Sequence, residues 1–328
     1  MPKTQITIPV FINHEGCPHR CIFCDQNKSG GSSDTDTAIQ IYTQNKAESI
    51  KTIELAFFGG SFTALDIKRQ EDLLSNAQKY LHNGTIHSIR LSTRPDYIDK
   101  EKLELLKNYQ VNTIEIGAQS FNNSVLLSAK RGHTREDIIQ ACKLIKEYGF
   151  NLVIQLMPGL PDSSLNEAIE SANEAVKLNP NAVRVYSTVV IKDTELDLMY
   201  KSGEFTPLSL EEAVETCSQT VKIFYDNNIK VIRIGLHPLS SEAENNIVAG
   251  PYHHSIGFLV KSRIKRKILV ELALKFSASK DLVVLNIPQE KAEEYIGLKR
   301  ENILFIENII NKPIKVVYTK QKYPFFEQ

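Results

Sequence analysis

The chain has 328 residues, 42% of them hydrophobic and 24% charged, which places it among ordinary globular proteins of one large domain or two. Lys plus Arg and Asp plus Glu both number 39, so the overall balance gives no indication of a polyanionic partner. The N-terminus lacks a secretory pattern and no apolar run approaches the ~20 residues that span a bilayer, so a cytoplasmic, reducing location with no membrane contact is expected.

A first strand is predicted over Gln5–Phe11, and it leads into Gly16-Cys17-Pro18-His19-Arg20-Cys21-Ile22-Phe23-Cys24-Asp25. Three of the five cysteines therefore fall within eight residues, spaced Cys-x3-Cys-x2-Cys. Thiolates are soft ligands, and three on one short loop after a strand point to a metal or cluster site. Buried structural cysteines fit poorly, because Pro18, His19, Arg20 and Asp25 make polar surroundings. A disulfide framework needs an even count and an oxidising compartment. Zinc held by the three cysteines with His14 or His19 is the competing reading, although structural zinc sites usually draw on two separated pairs. Three cysteines can hold three irons of a [4Fe–4S] cluster and leave the fourth open to another ligand. Both metal readings stand at this point.

Beyond a flexible loop at Ser29-Gly30-Gly31-Ser32-Ser33, strands and helices alternate. Strands are predicted at Thr52–Phe58, Ile86–Ser92, Thr113–Gly117, Asn151–Leu156, Ala182–Ser187 and Lys230–Ile234. Helices are predicted at Asp36–Asn45, Lys68–Leu81, Asp99–Tyr109, Thr134–Tyr148, Ser164–Leu178 and Ser209–Asn227, with start or stop signals at Thr134/Asp137, Ser209/Glu212 and Gly149. This alternation implies a parallel sheet covered by helices, closed or partly closed as a barrel, with its site at the C-terminal ends of the strands. Those ends carry polar or glycine-rich segments in succession: Phe57-Phe58-Gly59-Gly60-Ser61-Phe62-Thr63, Ser92-Thr93-Arg94-Pro95-Asp96, Gly117-Ala118-Gln119-Ser120-Phe121 and Met157-Pro158-Gly159-Leu160-Pro161. Such repetition at one rim is a stronger signal than any single turn. Cys142 and Cys217 lie on predicted amphipathic helices and read as core residues. Glu54, Glu115, Tyr186 and Tyr252 are candidates for the barrel interior, and His237 and His253 for its mouth.

The last segment differs in charge. Residues 261–328 hold 14 basic and 8 acidic residues, a net +6. They read as strand, helix, a turn at Gly297-Leu298-Lys299-Arg300, helix and strand, preceded by the basic run Lys261–Lys267. This order resembles the KH RNA-binding module, whose Gly-x-x-Gly loop clamps a nucleic-acid backbone, with Arg300 in place of the second glycine. A solvated α/β cap is the plainer alternative.

Taken together, the Cys17-x3-Cys21-x2-Cys24 triplet and its position after the first strand resemble the radical S-adenosylmethionine superfamily. The resemblance implies a partial (β/α)6 barrel over residues 1–255, with residues 256–328 as a small basic α/β C-terminal domain. It also implies a [4Fe–4S] cluster on Cys17, Cys21 and Cys24, whose open iron chelates S-adenosylmethionine. Reductive cleavage then yields methionine and a 5′-deoxyadenosyl radical, with the electron drawn from a flavodoxin or ferredoxin. By the same resemblance Gly59, Gly60, Ser61 and Phe62 contact the methionine amino group, and Gln119, Arg131 and Gln155 the ribose or carboxylate. Further stretches are similar to the Elongator catalytic-subunit-like group: Leu91-Ser92-Thr93-Arg94-Pro95-Asp96, Lys130-Arg131-Gly132-His133, Arg184-Val185-Tyr186-Ser187-Thr188-Val189-Val190 and Arg233-Ile234-Gly235-Leu236-His237-Pro238. That group modifies the wobble uridine of tRNA with the help of an acetyltransferase domain, for which residues 256–328 are too few. A radical enzyme acting on RNA, with tRNA as partner, is the leading expectation. A radical enzyme acting on a small molecule or peptide, and a non-catalytic zinc-bearing RNA-binding protein, are the alternatives.

Overall fold

A computed structural model describes residues 5–12, 14–25, 33–44, 49–236, 241–276 and 282–327. In chain order its elements are β1 (Gln5–Ile12), α1 (Thr35–Gln44), β2 (Thr52–Gly59), α2 (Ile67–His82), β3 (Ser88–Thr93), α3 (Lys100–Asn108), β4 (Thr113–Gln119), α4 (Asn123–Ser128), α5 (Arg135–Glu147), β5 (Asn151–Leu156), α6 (Leu165–Lys177), β6 (Ala182–Val185), β7 (Val190–Ile191), α7 (Glu195–Ser202), α8 (Leu210–Asp226) and β8 (Lys230–Ile234). There follow α9 (Ser241–Glu244), β9 (Ile247–Ala249), α10 (Ile256–Lys275), β10 (Val283–Pro288), α11 (Ala292–Ile296), α12 (Glu301–Ile310), β11 (Ile314–Thr319) and β12 (Phe325–Phe326).

Local chemistry fixes many of the boundaries. Thr134 with Asp137, and Ser209 with Glu212, form reciprocal capping boxes that start α5 and α8. Asp66, Asp99 and Ser164 accept from backbone N–H groups at the starts of α2, α3 and α6. Gly149, after α5, takes φ 85°, a turn that costs glycine little.

Seven strands pair in parallel in the order β1-β2-β3-β4-β5-β6-β8. Residues of one parity (Ile8, Val10, Leu55, Phe57, Ile89, Leu91, Ile114 and Ile116) are buried in one large core that also takes in side chains from the covering helices. The other parity places Thr7, Glu54, Arg90, Glu115 and Arg184 on the opposite, concave face. The sheet curls strongly. Phe58 on β2 and Arg184 on β6 are four strand spacings apart, which on a flat sheet is ~19 Å. Yet the Arg184 guanidinium lies 5.2 Å from the centre of the Phe58 ring, across the lumen of a half-barrel. The expected partial barrel is therefore present, with seven strands rather than six.

The basic C-terminal segment forms a second core around Leu269, Leu285, Ile287, Tyr295, Ile303 and Ile306. Its sheet runs β11-β10-β12, with β10 and β11 parallel. Helix α10 serves both cores: Ile256, Val260 and Ile264 belong to the barrel core, and Leu269 and Ala273 to the smaller one. The polar side of α10 is largely engaged as well. Arg263 pairs with Glu211 and Glu215, Lys267 with Glu215, and Arg266 with Glu301 and Asn302. Much of the basic run expected to face phosphate thus ties α10 to α8 and α12. Lys299 and Arg300 remain exposed in the turn before α12, at φ 50° and 65°.

Candidate functional site

The cysteine loop leaves β1 at the C-terminal rim of the sheet, and its backbone is held at several points. Glu15 N donates to Ile12 O, Cys17 N to His14 O and Cys24 N to Cys21 O, at 3.1–3.2 Å. Two apolar residues between the second and third cysteines anchor it. Ile22 is buried with Val190, Leu196 and Phe205, while Phe23 packs against that cluster and a second one of Val125, Ala129 and Leu160. Ile22 N also donates to Ala129 O, and Ile22 O accepts from Leu196 N. The three thiols remain only part-buried. Nothing in the triplet spacing indicated these anchors, whose partners lie more than a hundred residues away.

Opposite the loop lies the glycine-rich segment after β2, in backbone-to-backbone contact with it. Ser61 N donates to Glu15 O at 2.9 Å. A Cβ on Gly60 would stand 2.1 Å from Glu15 O, and one on Gly16, at φ 70°, 2.3 Å from Ser61 O. Each segment therefore supplies one glycine that lets the other approach. The Ser61 and Phe62 side chains are both buried. Ser61 Oγ is buried against Thr93 Oγ1 and Arg94 N, and Phe62 is fully buried with its ring 5.1 Å from that of Phe57. Gly59 and Gly60 are incompletely buried at the rim.

Arg131, Gly132 and His133 approach the loop from the other side. Arg131 Nη1 donates to Cys21 Sγ at 3.0 Å and its Nη2 to Gly117 O at 2.6 Å. The Arg131 carbonyl accepts from Arg94 Nη2, and Arg94 is itself clamped by Asp96 at 2.9–3.0 Å. Gly132, at φ 68°, leaves space filled by the His19 ring; a Cβ there would lie 2.4 Å from His19 Cδ2. His133 is buried, its Nδ1 3.9 Å from Asp96 Oδ1. Burial first, then the Arg131 and Arg94 charges, hold its pKa down at about 2, so the imidazole is neutral. Burial and the neighbouring Cys21 push the Cys17 thiol up, against the opposing pull of Arg94 and Arg131. Loaded thiolates beside these two guanidiniums gain the compensation that bare burial denies them.

Gln119 and Gln155 join the same rim: Gln155 Nε2 donates to Gln119 Oε1 at 3.2 Å, and Gln119 sits at φ 70° at the end of β4. The tertiary structure thus brings Cys21, Arg131, Gly117, Gln119 and Gln155 into one continuous line. Cys142 and Cys217 stand apart, fully buried in the core, where desolvation pushes both thiols up to about 12. Tyr252 donates to Glu244 and His253 Nδ1 accepts from Ser255 N, both local contacts, and His237 lies outside the described residues.

The donor set fits an iron–sulfur cluster. A cubane asks each thiolate for a different iron, and three part-buried thiols along one loop suit that demand.

Below the rim the lumen is charged. Thr7 Oγ1 donates to Glu54, which pairs with Arg90; Arg90 reaches Glu115, and Glu115 pairs with Arg184, all at 3.0–3.4 Å. Arg184 Nη1 donates to Tyr186 at 2.8 Å. Glu54 and Glu115 are therefore structural partners of arginines within a chain of alternating charge.

A family model described as the Radical SAM superfamily matches residues 13–175, and one described as the Radical SAM C-terminal domain matches residues 180–266. The tRNA uridine(34) acetyltransferase of Methanocaldococcus jannaschii is 30% identical over 261 residues, 66% of this chain and 48% of that protein. Human Elongator complex protein 3 is 25% identical over 269 residues, 66% of this chain and 49% of that protein. The chain spans about half the length of these relatives. Among solved structures, Methanocaldococcus infernus Elp3 with an N-terminal deletion superposes with a TM-score of 0.66 at 25% identity, covering 81% of this chain and 64% of that one. The Escherichia coli coproporphyrinogen III oxidase shares the fold, with a TM-score of 0.51 at 18% identity over 69% of this chain and 53% of that one.

Proposed function

The chain belongs to the radical S-adenosylmethionine superfamily, and from that premise we propose that it is an Elongator-like radical enzyme that modifies tRNA. The observation that carries the radical half is the convergence of Cys17, Cys21 and Cys24 with Gly59–Gly60 and Arg131 at one rim of the parallel half-barrel. The likeness to tRNA uridine(34) acetyltransferases supports the substrate half.

In this reading Cys17, Cys21 and Cys24 hold a [4Fe–4S] cluster. When bound there, the cluster and S-adenosylmethionine would supply one-electron reduction and a cleavable sulfonium, the chemistry of radical generation. The protein's own residues orient and insulate that chemistry. Arg131 donates to the Cys21 sulfur and offsets thiolate charge, while Arg94 and Asp96 keep Arg131 in place. Gly59 and Gly60 offer backbone N–H and C=O groups at the rim, and the paired amides of Gln119 and Gln155 provide directional hydrogen bonds beside them. The lumen below admits substrate to the same rim. A flavodoxin or ferredoxin donates the electron. Residues 1–255 carry the chemistry and residues 256–328 flank it, with the exposed Lys299–Arg300 turn as their basic contact for RNA.

Each Cys→Ala change at 17, 21 or 24 is expected to abolish 5′-deoxyadenosine formation by the reconstituted protein. Deleting the gene and comparing total tRNA nucleosides by mass spectrometry tests the substrate. A missing modified nucleoside supports tRNA, and an unchanged profile together with intact cleavage in vitro would move the substrate to a small molecule or peptide.

A further inference from the structure

Among the described residues the lumen charges do not balance. Glu54, Arg90, Glu115 and Arg184 form a neutral chain of two carboxylates and two guanidiniums. Arg233, on β8, is a further cation on the same face, because its Cα is registered with that of Arg184 on the adjacent parallel strand. Its Nε and Nη2 donate to Gly235 O and Leu236 O at 3.2 and 2.7 Å, which fixes the guanidinium in place. Those acceptors are neutral. Among the described residues Arg233 has no carboxylate partner, and the charge registered beside it on the next strand is Arg184. Burial and that like charge pull its pKa down, the signature of a cation without a counter-ion. Tyr186, whose hydroxyl accepts from Arg184, stands between the two.

A partly buried guanidinium fixed by backbone carbonyls and left without an anion is costly in the empty protein and favourable once an anion arrives. We propose that Arg233, together with Arg184 and Tyr186, forms an anion site in the lumen that receives a phosphate group of the substrate. Arginine suits this ligand, since its planar fork matches phosphate oxygens. The cofactor's carboxylate is the other conceivable anion. The S-adenosylmethionine arm of the test below separates the two. The phosphate assignment rests on the nucleic-acid reading of the substrate; the anion site itself does not.

The test measures binding to the intact reconstituted protein by titration calorimetry with inorganic phosphate, uridine 5′-monophosphate, uridine and S-adenosylmethionine, for wild type and for Arg233→Met and Arg233→Lys. Wild type is expected to take uridine 5′-monophosphate at least tenfold more tightly than uridine. Arg233→Met should lose that preference and Arg233→Lys should recover part of it. The methionine removes an uncompensated charge but also the donors to Gly235 O and Leu236 O, so its melting temperature should stay within a few degrees of wild type and the loss would not reflect unfolding. Equal phosphate affinity in wild type and Arg233→Met overturns the proposal. So does a variant that loses S-adenosylmethionine affinity while keeping phosphate, which would reassign the site to the cofactor's carboxylate. Binding of inorganic phosphate that depends on Arg233, without any gain from uridine 5′-monophosphate, would uphold the anion site and sink the nucleotide reading alone.

Discussion

Replacing Gly60 by alanine tests whether the rim segment and the cysteine loop are one unit. The new Cβ would lie 2.1 Å from Glu15 O and 2.5 Å from Ile12 O, both backbone atoms that have no rotamer by which to escape. Restoring ordinary van der Waals separation, ~3.5 Å, requires the two backbones to part by about 1 Å or more. Overpacking of this kind costs about 1–3 kcal/mol, and losing the Ser61 N–Glu15 O bond adds about 1 kcal/mol. A domain stable by roughly 5–15 kcal/mol survives that loss, so Gly60→Ala should fold with its melting temperature lowered by a few degrees. The specific consequence falls on the loop: Cys17 follows Glu15 by two residues and moves with it. The assay is anaerobic reconstitution with iron and sulfide counted per chain, alongside calorimetric melting. Gly257→Ala is the control, because its Cβ meets only ordinary contacts at 3.5 Å and beyond. Gly60→Ala should bind clearly less iron than Gly257→Ala. Wild-type iron content and melting temperature in Gly60→Ala would refute the idea that the two segments position each other.

Two further outcomes follow from the surroundings of the loop. Removing the Arg131 guanidinium with Arg131→Met takes a donor from the Cys21 sulfur, and a donor to sulfur stabilises the more negative, reduced cluster. The midpoint potential should therefore fall by about 40 mV, the equivalent of ~1 kcal/mol for one electron, in an EPR-monitored titration; an unchanged or higher potential would contradict the contact. His133 gives a pH signature. Its pKa falls from 6.5 to about 2 on folding, so its contribution is fully present above pH 6.5 and is lost as pH drops below that value. The loss has an upper limit of ~1.4 kcal/mol per pH unit. The stability of His133→Gln relative to wild type, measured by denaturant unfolding, should improve steadily from pH 6.5 to 4.5; a pH-independent difference would show that His133 titrates normally.

Much of the architecture was legible because local chemistry announced it. All seven barrel strands appear within a few residues of their expected places, and the capping boxes at Thr134 and Ser209 formed as their side chains dictate. Among the elements missed, α4, α7 and the β7–β9 ribbon have too few residues for periodicity to register, whereas α10, 20 residues long, was read only as a basic run. The basic run on α10 shows the opposite failure. Its charge was plain, but whether Arg263 and Lys267 would face solvent or Glu211 and Glu215 depended on where α8 packed.

The amino-acid sequence by itself set out the candidate donors, because Cys17, Cys21 and Cys24 lie within eight residues and thiolates select soft metals wherever the loop lies. It also determined that polar rims would recur, since each rim follows its strand directly. The closed geometry came only with the tertiary structure. The Arg131 donor to Cys21 and the fit of His19 over Gly132 join residues more than a hundred positions apart, and the mutual approach of Gly16 and Gly60 joins two separate loops. So did the place of Arg233, which among the described residues has no carboxylate partner and stands with four other charged side chains around one lumen because the sheet curls. Covalent neighbours carry their chemistry in order along the chain, whereas a charge balance is a property of the space the fold encloses.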